Sequence, residues 1–541
     1  MKKALSVMLV LTLLVPAVSV FAAAQRELVE KPEIVLAMPG DVTTWNPYTR
    51  NEVIANSMQR HVFDTLIYVD YDLNSVPGLA VSWEANEQAD VWTIKLREGV
   101  EFHNGKPFTA HDVVFSFDVC KADGRGWADS LGNFESWRAV DDYTVEIRTI
   151  IPDVLLPNHL RNIAIISKET LEGTDIAETM ESTVVGTGRY KMVNYIKDDR
   201  LILERNENYW GDKPSVERVV FRPIPTAGTR TANLLAREVD FISNVPVRDA
   251  DMLKTRDGVV VQTVPGISAM MFVLGQTEED PSPNAPMPIR SPDGSNPLAV
   301  REVRQAIIHA IDADEIIDRI MGGYAVVAHT PVPEGFVGYN PDLKKYEFNP
   351  QKAEELLDAA GYPRQADGYR FEITLDATND RYINDAAIAT AVAGYLERVG
   401  IKCNPNLQSR AVFWGYVRMY EGYNSHFIMS QWSEPSGESA LIAKDLLYSA
   451  YLDEPKRDGW GGVNRGFYAN EEVDALIEKA LSTVDPAERD KIMQEAWRIA
   501  WDDAALFTTH FTEAVYAHRD RVEYTPRIDQ HVYAWDFRVV K

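Results

Sequence analysis

LAVSWEANEQADVWTIKLREGVEFHNGKPFTAHDVVFSFD, residues 79–118, contains a complete supersecondary unit. In VWTIKL (91–96), Trp92, Ile94 and Leu96 alternate with Val91, Thr93 and Lys95, the period-2 pattern of a half-buried strand. Gly99 and Asn104-Gly105 provide positive-φ positions for two tight turns, with a short strand expected between them. Thr109 stands three residues before Asp112, a capping-box spacing that opens a helix carrying Val113, Val114 and Phe117. The unit reads as strand, turn, strand, turn and capped helix. Such a unit specifies a fold element and no chemistry.

Outward from this unit, the order of elements is that of mixed α/β lobes. Upstream, EIVLAM (33–38) reads as a strand, DVTTWNPYTR as a polar loop, and Val53 to Leu66 as a helix. Downstream, YTVEIRTI (143–150) is a strand. GTGRYKMVNY and LILERNENYWGDKP are paired strands with a Gly-rich turn. Thr226 to Val239 is a helix with Leu234 and Leu235 facing inward, leading to the short strand VDFI. Thr277 to Pro297, rich in Pro, Asp, Asn and Gly, reads as a long loop between lobes. Val300 to Ile311 places Val303, Ile307 and Ile311 on one face, and Asp312 caps a helix with Glu315 at the third position. Asn349 caps a helix with Pro350 in its first turn, Leu356 and Leu357 inward, and Gly361 at its end. A further helix spans Ala386 to Val399. Asn470 caps one bearing Val473, Leu476, Ile477 and Leu481, and the strands LFTTHF and AVYAHR close the order before an irregular tail.

The N-terminus has the three parts of a secretory signal: basic Lys2 and Lys3, an apolar stretch Ala4 to Val20, and the small residues Ala22-Ala23-Ala24. Cleavage near Ala24 is expected, and no cysteine is nearby for lipid attachment. A periplasmic location follows as an expectation. Loss of Lys2 and Lys3 without any acid would move the formal charge from -26 to -28. Such acidity disfavours nucleic acid and anionic membrane surfaces as partners. Cys120 and Cys403 are the only cysteines, too few for a disulfide framework, and are expected as two separate buried thiols.

Motifs of catalysis and metal binding are missing. The chain has no HExxH, GxSxG, Ser-x-x-Lys, P-loop or Cys-x-x-Cys. His103 and His111, and His510 and His518, are the nearest pairs of histidines outside the usual metal-ligand spacings. GWGGVNRG (459–466) lacks the lysine and capped helix of a phosphate loop. No cofactor and no metal are expected, and the protein reads as a binder, not an enzyme.

The stretch 79–118 resembles the signature of the family 5 extracellular solute-binding proteins, the receptors of peptide-type ABC importers. Three further blocks follow in the family's order: AGTRTANLLAREVDF (227–241), REVRQAIIHAIDADEII (301–317) and DDAALFTTHFTEAVYAHR (502–519). The resemblance implies an α/β fold of the class II periplasmic binding protein type, with two main lobes and an extra subdomain inserted in the first. The expected division is 1–24 signal peptide, 25–275 first lobe with its insert, 276–505 second lobe, and 506–541 return to the first lobe. It also implies a monomer that captures a peptide-like or oligosaccharide-sized solute between the lobes and delivers it to an inner-membrane permease. The alternative is an exported glycan hydrolase of mixed α/β architecture, with carboxylates such as Glu434 beside Trp432.

Candidate ligand contacts come from two sources. Trp45, Trp414, Trp432 and Trp460 fall in or beside expected loops, where large rings can stack on a solute or fill gaps between lobes. HFIMS (426–430) reads as a buried strand, with the polar loop from Gln431 to Glu438 leaving its end. In peptide-binding members of the resembled family, an acid in this loop pairs with the ligand's amino terminus; Glu434 is its counterpart here, in a loop without the family's usual Asp-rich wording. The basic residue that holds a peptide carboxylate in dipeptide binders falls on Asn379, with Arg381 two places away.

Overall fold

The computed structural model of the protein describes residues 33–49, 52–277, 294–417, 425–449 and 460–540. The expected signal segment and most of the 277–297 loop lie outside the described residues.

In the unit that opened the sequence reading, the strand Val91–Leu96 buries Trp92, Ile94 and Leu96 and turns Lys95 outward. Gly99 and Gly105 have φ of 74° and 81°. Between them there is only an isolated bridge from Glu101 to Pro107, not a strand. The helix Ala110–Asp123 starts as its spacing requires: the Thr109 N–H donates to Asp112 Oδ2 at 2.9 Å. This strand and helix belong to a four-stranded antiparallel sheet ordered Ala80–Ala85, Val91–Leu96, Thr144–Thr149, Phe134–Asp141.

That sheet is an insert in a larger lobe. Its core continues into that of a seven-stranded sheet built around Glu33–Met38, which pairs in parallel with Arg218–Pro223 and with Phe241–Ile242. The second lobe is a six-stranded sheet ordered Ala325–Val327, Leu506–Thr512, Ala269–Leu274, Phe427–Trp432, Phe371–Thr378, Ile401–Gln408. Ala269–Leu274 is buried along its whole length because it lies between two other strands with helices over its faces.

Sheet membership moves both expected lobe boundaries. Ala269–Leu274 belongs to the second lobe, so the first crossing is the short segment 265–268 rather than the loop near 276. Leu506–Thr512 also belongs to the second lobe, and the chain returns through Glu513 to Ala514–Arg519 in the first. At this crossing Gly266 lies against the return strand so closely that a Cβ there would stand 2.0 Å from the Thr512 carbonyl oxygen. Tyr324, just before a second-lobe strand, inserts into a first-lobe cluster with Ala37, Leu234 and Val515. Its hydroxyl accepts from Lys254 Nζ at 2.8 Å and donates to Asp251 Oδ1 at 2.7 Å.

Other departures are local. The first helix ends at Gln59 and not Leu66, since Arg60–Asp64 turn so that the Val62 and His61 carbonyls can receive Gly188 and Tyr190. Gly186 and Gly188 serve this contact, where a Cβ would come within 2.0 Å and 2.4 Å of those carbonyl oxygens. The turn between Tyr190–Ile196 and Arg200–Arg205 is therefore made not by glycine but by residues 197–199, with Asp198 at φ 60°. Leu234 is buried but Leu235 is 40% exposed. After Asp312 the helix runs one turn before a π turn, Ile316–Ile320, takes over. The Asn349 and Asn470 caps form as expected, accepting from Lys352 N and from Glu472 N, each at 3.0 Å. Cys120 and Cys403 are free buried thiols.

The second-lobe core holds one costly group. Asp376 is fully buried and accepts from Asn406 Nδ2 at 2.7 Å and from the Ser425 hydroxyl. Burial pushes its carboxyl up from 3.8 to about 6. As pH rises through this window the unfolded chain loses its proton first, so the native state loses stability between pH 4 and 6. Asp376→Asn can satisfy both partners without charge. Its unfolding free energy should match wild type at pH 4 and exceed it at pH 8 by about 1–3 kcal/mol. Urea melts at the two pH values check this, and an equal difference at both would refute the titration argument.

Candidate ligand-binding site

Phe427–Trp432 runs along the second-lobe sheet to the crossing, where Trp432 pairs with Ala269. The loop beyond it is held by its own side chains. The Ser436 N–H donates to Glu434 Oε1 at 3.0 Å and the Glu438 N–H to Ser436 Oγ at 3.1 Å. Gly437 takes φ 78°, and its carbonyl receives Val337 N at 3.0 Å. Glu438 then meets Arg489 in a buried two-bond pair, Oε1 to Nη2 at 2.6 Å and Oε2 to Nε at 3.0 Å. The pair fixes the base of the loop and leaves Glu434 at its crest.

Glu434 has no ion-pair partner among the described residues; its one hydrogen bond comes from Ser436. Burial raises its carboxyl above the ordinary range and Asp445 adds repulsion, while Lys444, the Ser436 N–H and His159 act the other way. Two residues before it, Trp432 is half-buried and its indole N–H has no acceptor among the described residues. Glu434 thus carries one hydrogen bond and no counter-ion among the described residues.

The first lobe approaches this loop from the insert side. Arg161 Nη1 donates to the carbonyls of Pro435 at 3.4 Å and Ser436 at 3.3 Å, and its Nε to Ser75 Oγ at 2.9 Å. His159 lies 3.4 Å from Asp153. One apolar cluster spans the interface, with Leu73, Leu155 and Ile267 packed among Phe413, Leu441 and Trp460.

The tryptophans divide. Trp414 and Trp432 pack against this cluster and Trp460 belongs to it, so three of the four come together. Trp460 meets Tyr448 edge-on at 4.7 Å, and Trp414 lies 5.1 Å from the Arg465 guanidinium. Trp45 is elsewhere: fully buried in the first-lobe core, edge-on to Tyr195 at 5.5 Å, it offers no surface to a solute in this conformation. Its loop is polar, but Glu181 draws that loop inward through the Trp45 N–H at 2.8 Å. Asn379 and Arg381 are exposed after the strand Phe371–Thr378 and join none of these groups. The Arg381 N–H serves Asp385, the acid at the start of the next helix. Arg161 went unremarked in the sequence. A single arginine in NHLRNIAII carries no periodic signal, and only its contact across 274 residues of chain reveals it.

The family model described as bacterial extracellular solute-binding proteins, family 5 Middle, matches residues 74–440. The chain belongs to the family 5 solute-binding proteins. This receptor is 26% identical to the glutathione-binding protein GsiB of Pectobacterium atrosepticum, over 87% of each chain. It is 28% identical to heme-binding protein A of Haemophilus influenzae, over 83% of this chain and 81% of that one. Among solved structures, the ABC transporter-associated periplasmic binding protein DppA from Helicobacter pylori, in complex with the peptide STSA, matches with TM-score 0.75 and 25% identity, over 94% of this chain and 98% of that one. The two-lobed class II architecture is thus that of its relatives, and solute binding, not glycan hydrolysis, is the function of the family.

Proposed function

We propose that this receptor acts in the periplasm, after loss of its leader, as a monomer that captures a peptide-like solute and delivers it to the permease of an ABC importer. It works by binding and closure, without turnover and without a cofactor. The observation that carries the ligand class is Glu434: a carboxylate at the lobe interface without an ion-pair partner among the described residues. A free amino terminus fits it, giving a charge-assisted hydrogen bond worth roughly 1.5–3 kcal/mol. Relatives named for glutathione and a neighbour holding the peptide STSA support a peptide-like solute.

The test is calorimetric titration with STSA, N-acetyl-STSA and glutathione. Wild type should favour the free amine, and Glu434→Gln should lower affinity for it by about ten- to a hundredfold while leaving the acetylated peptide unchanged. Equal binding of free and acetylated peptides would remove the ammonium contact. An oligosaccharide is the second reading, favoured by the gathering of Trp414, Trp432 and Trp460 in one cluster. Retention of an intact glycan, insensitive to Glu434→Gln, would put it first.

A further inference from the structure

Among the described residues, Arg489, Arg370, Arg230 and Arg304 have an acceptor at each side-chain nitrogen, whereas Arg527 Nη1 lies 4.0 Å from Asp536 without a hydrogen bond. Arg489 is matched by Glu438, Arg527 by Asp529 and Arg370 by Asp358. Arg230 and Arg304 lack a buried carboxylate partner, yet Nε, Nη1 and Nη2 of each donate to backbone carbonyls. Arg189 lies against the rings of Trp535 at 4.5 Å, Tyr209 at 5.1 Å and Tyr68 at 5.3 Å. Arg161 is different. It is 6% exposed, its Nε and Nη1 hold Ser75, Pro435 and Ser436, and its Nη2 has no acceptor among the described residues.

No carboxylate neutralises Arg161. Glu438 is committed to Arg489, and Glu434 and Asp70 stand near enough to be felt but outside ion-pair distance. Burial lowers the guanidinium to about 10, so it stays charged at neutral pH. Solvent reaches Nη2, so this donor is open to an acceptor from outside the protein. Nη1 holds the carbonyls at the crest of the Glu434 loop, which leaves the remaining nitrogen beside the same loop. The guanidinium of the first lobe thus meets the second-lobe loop that carries the Glu434 carboxylate.

We propose that Arg161 Nη2 takes a carboxylate of the solute, so that Arg161 and Glu434 together read the two charges of a zwitterion. This rests on the solute-receptor reading. It moves the basic contact from the expected Asn379 and Arg381 on the second lobe to the first. Since the two charges come from different lobes, a zwitterionic solute joins the lobes, whereas an esterified or amidated one engages only the second.

The experiment compares STSA with its C-terminal amide on wild type, Arg161→Met, Arg161→Lys and Glu434→Gln. Wild type should favour the free acid by about tenfold or more, the gain from one charge-assisted contact. Arg161→Met should bring the acid down to the level of the amide, Arg161→Lys should keep part of the preference, and Glu434→Gln should weaken both forms without removing it. Equal wild-type affinity for acid and amide overturns the proposal. So does an equal loss of both in Arg161→Met, which would reduce Arg161 to a brace for the loop. Should wild type bind neither peptide, the peptide reading fails and N-acetylglycine, a carboxylate without an ammonium, decides the Arg161 contact. Saturable perturbation of the Arg161 guanidinium NMR signal by N-acetylglycine sustains it, and its absence overturns it.

Discussion

Glu438→Gln should destabilise the receptor by about 3–5 kcal/mol, the cost of leaving one member of a buried ion pair alone. Arg489 and Glu438 are 5% and 8% exposed and share two hydrogen bonds, so the mutant strands a guanidinium where water cannot reach it. The backbone acceptors at Thr483 and Val484 that Arg489 also holds cannot neutralise it. Urea denaturation should show the loss directly. The double variant Glu438→Leu/Arg489→Met should recover part of it, because an apolar pair of similar volume replaces two desolvated charges. A second readout separates this from a loss of ligand contact. Since the pair anchors the base of the Glu434 loop, affinity should fall for acetylated and free peptides alike, unlike the selective loss expected of Glu434→Gln. A wild-type melting curve for Glu438→Gln would mean that the pair is not desolvated in solution.

Gly266→Ala is expected to cost about 3 kcal/mol, at the upper end of ordinary overpacking. The methyl group would fall 2.0 Å from the Thr512 carbonyl oxygen and 3.0 Å from Gln530 Nε2. The first obstacle is backbone of the return strand, which cannot move aside as a side-chain end can. The two crossing segments must therefore separate. Because they are the covalent link between lobes, that separation should also change the angle between them. Denaturation measures the first effect, and small-angle scattering with and without ligand measures the second, with a smaller contraction on binding than in wild type. Wild-type stability and contraction together would show that the crossing accommodates a side chain.

How much of this could be read from the letters follows from the range over which each feature is determined. The strand at 91–96 and the caps at Thr109, Asn349 and Asn470 are decided within a few residues, and they form where the sequence puts them. The lobe boundaries are decided by pairing between strands far apart in the chain, from Leu274 with Phe427 to Ala269 with Phe511. Ala269–Leu274 looks like the end of the first lobe until Leu506–Thr512 and Phe427–Trp432 close on both sides of it. The Pro- and Gly-rich stretch after it is the more visible punctuation, but punctuation marks a loop and not a change of sheet. Trp45 misleads for the opposite reason: its neighbours are polar, and Glu181, 136 residues away, turns them inward. Trp432 and Glu434 fall where expected at the end of an apolar strand, because that strand is decided locally. Arg161 could not be read that way, since its contacts with Ser75, Pro435 and Ser436 join segments distant in the chain.

The pairing of Trp432 with Ala269, beside the crossing segment 265–268, has a mechanical consequence. When two bodies rotate about a common axis, a point moves in proportion to its distance from that axis. Glu434, two residues beyond Trp432, has a short lever arm, so its surroundings hardly change between open and shut, while the outer rims of the lobes sweep the largest arc. On the proposed Glu434 contact, the cationic end of a solute would be held before the lobes come together, and the rest of the solute would decide how firmly they stay shut. Arrival should then depend on the charge near the axis, and residence time on the contacts far from it.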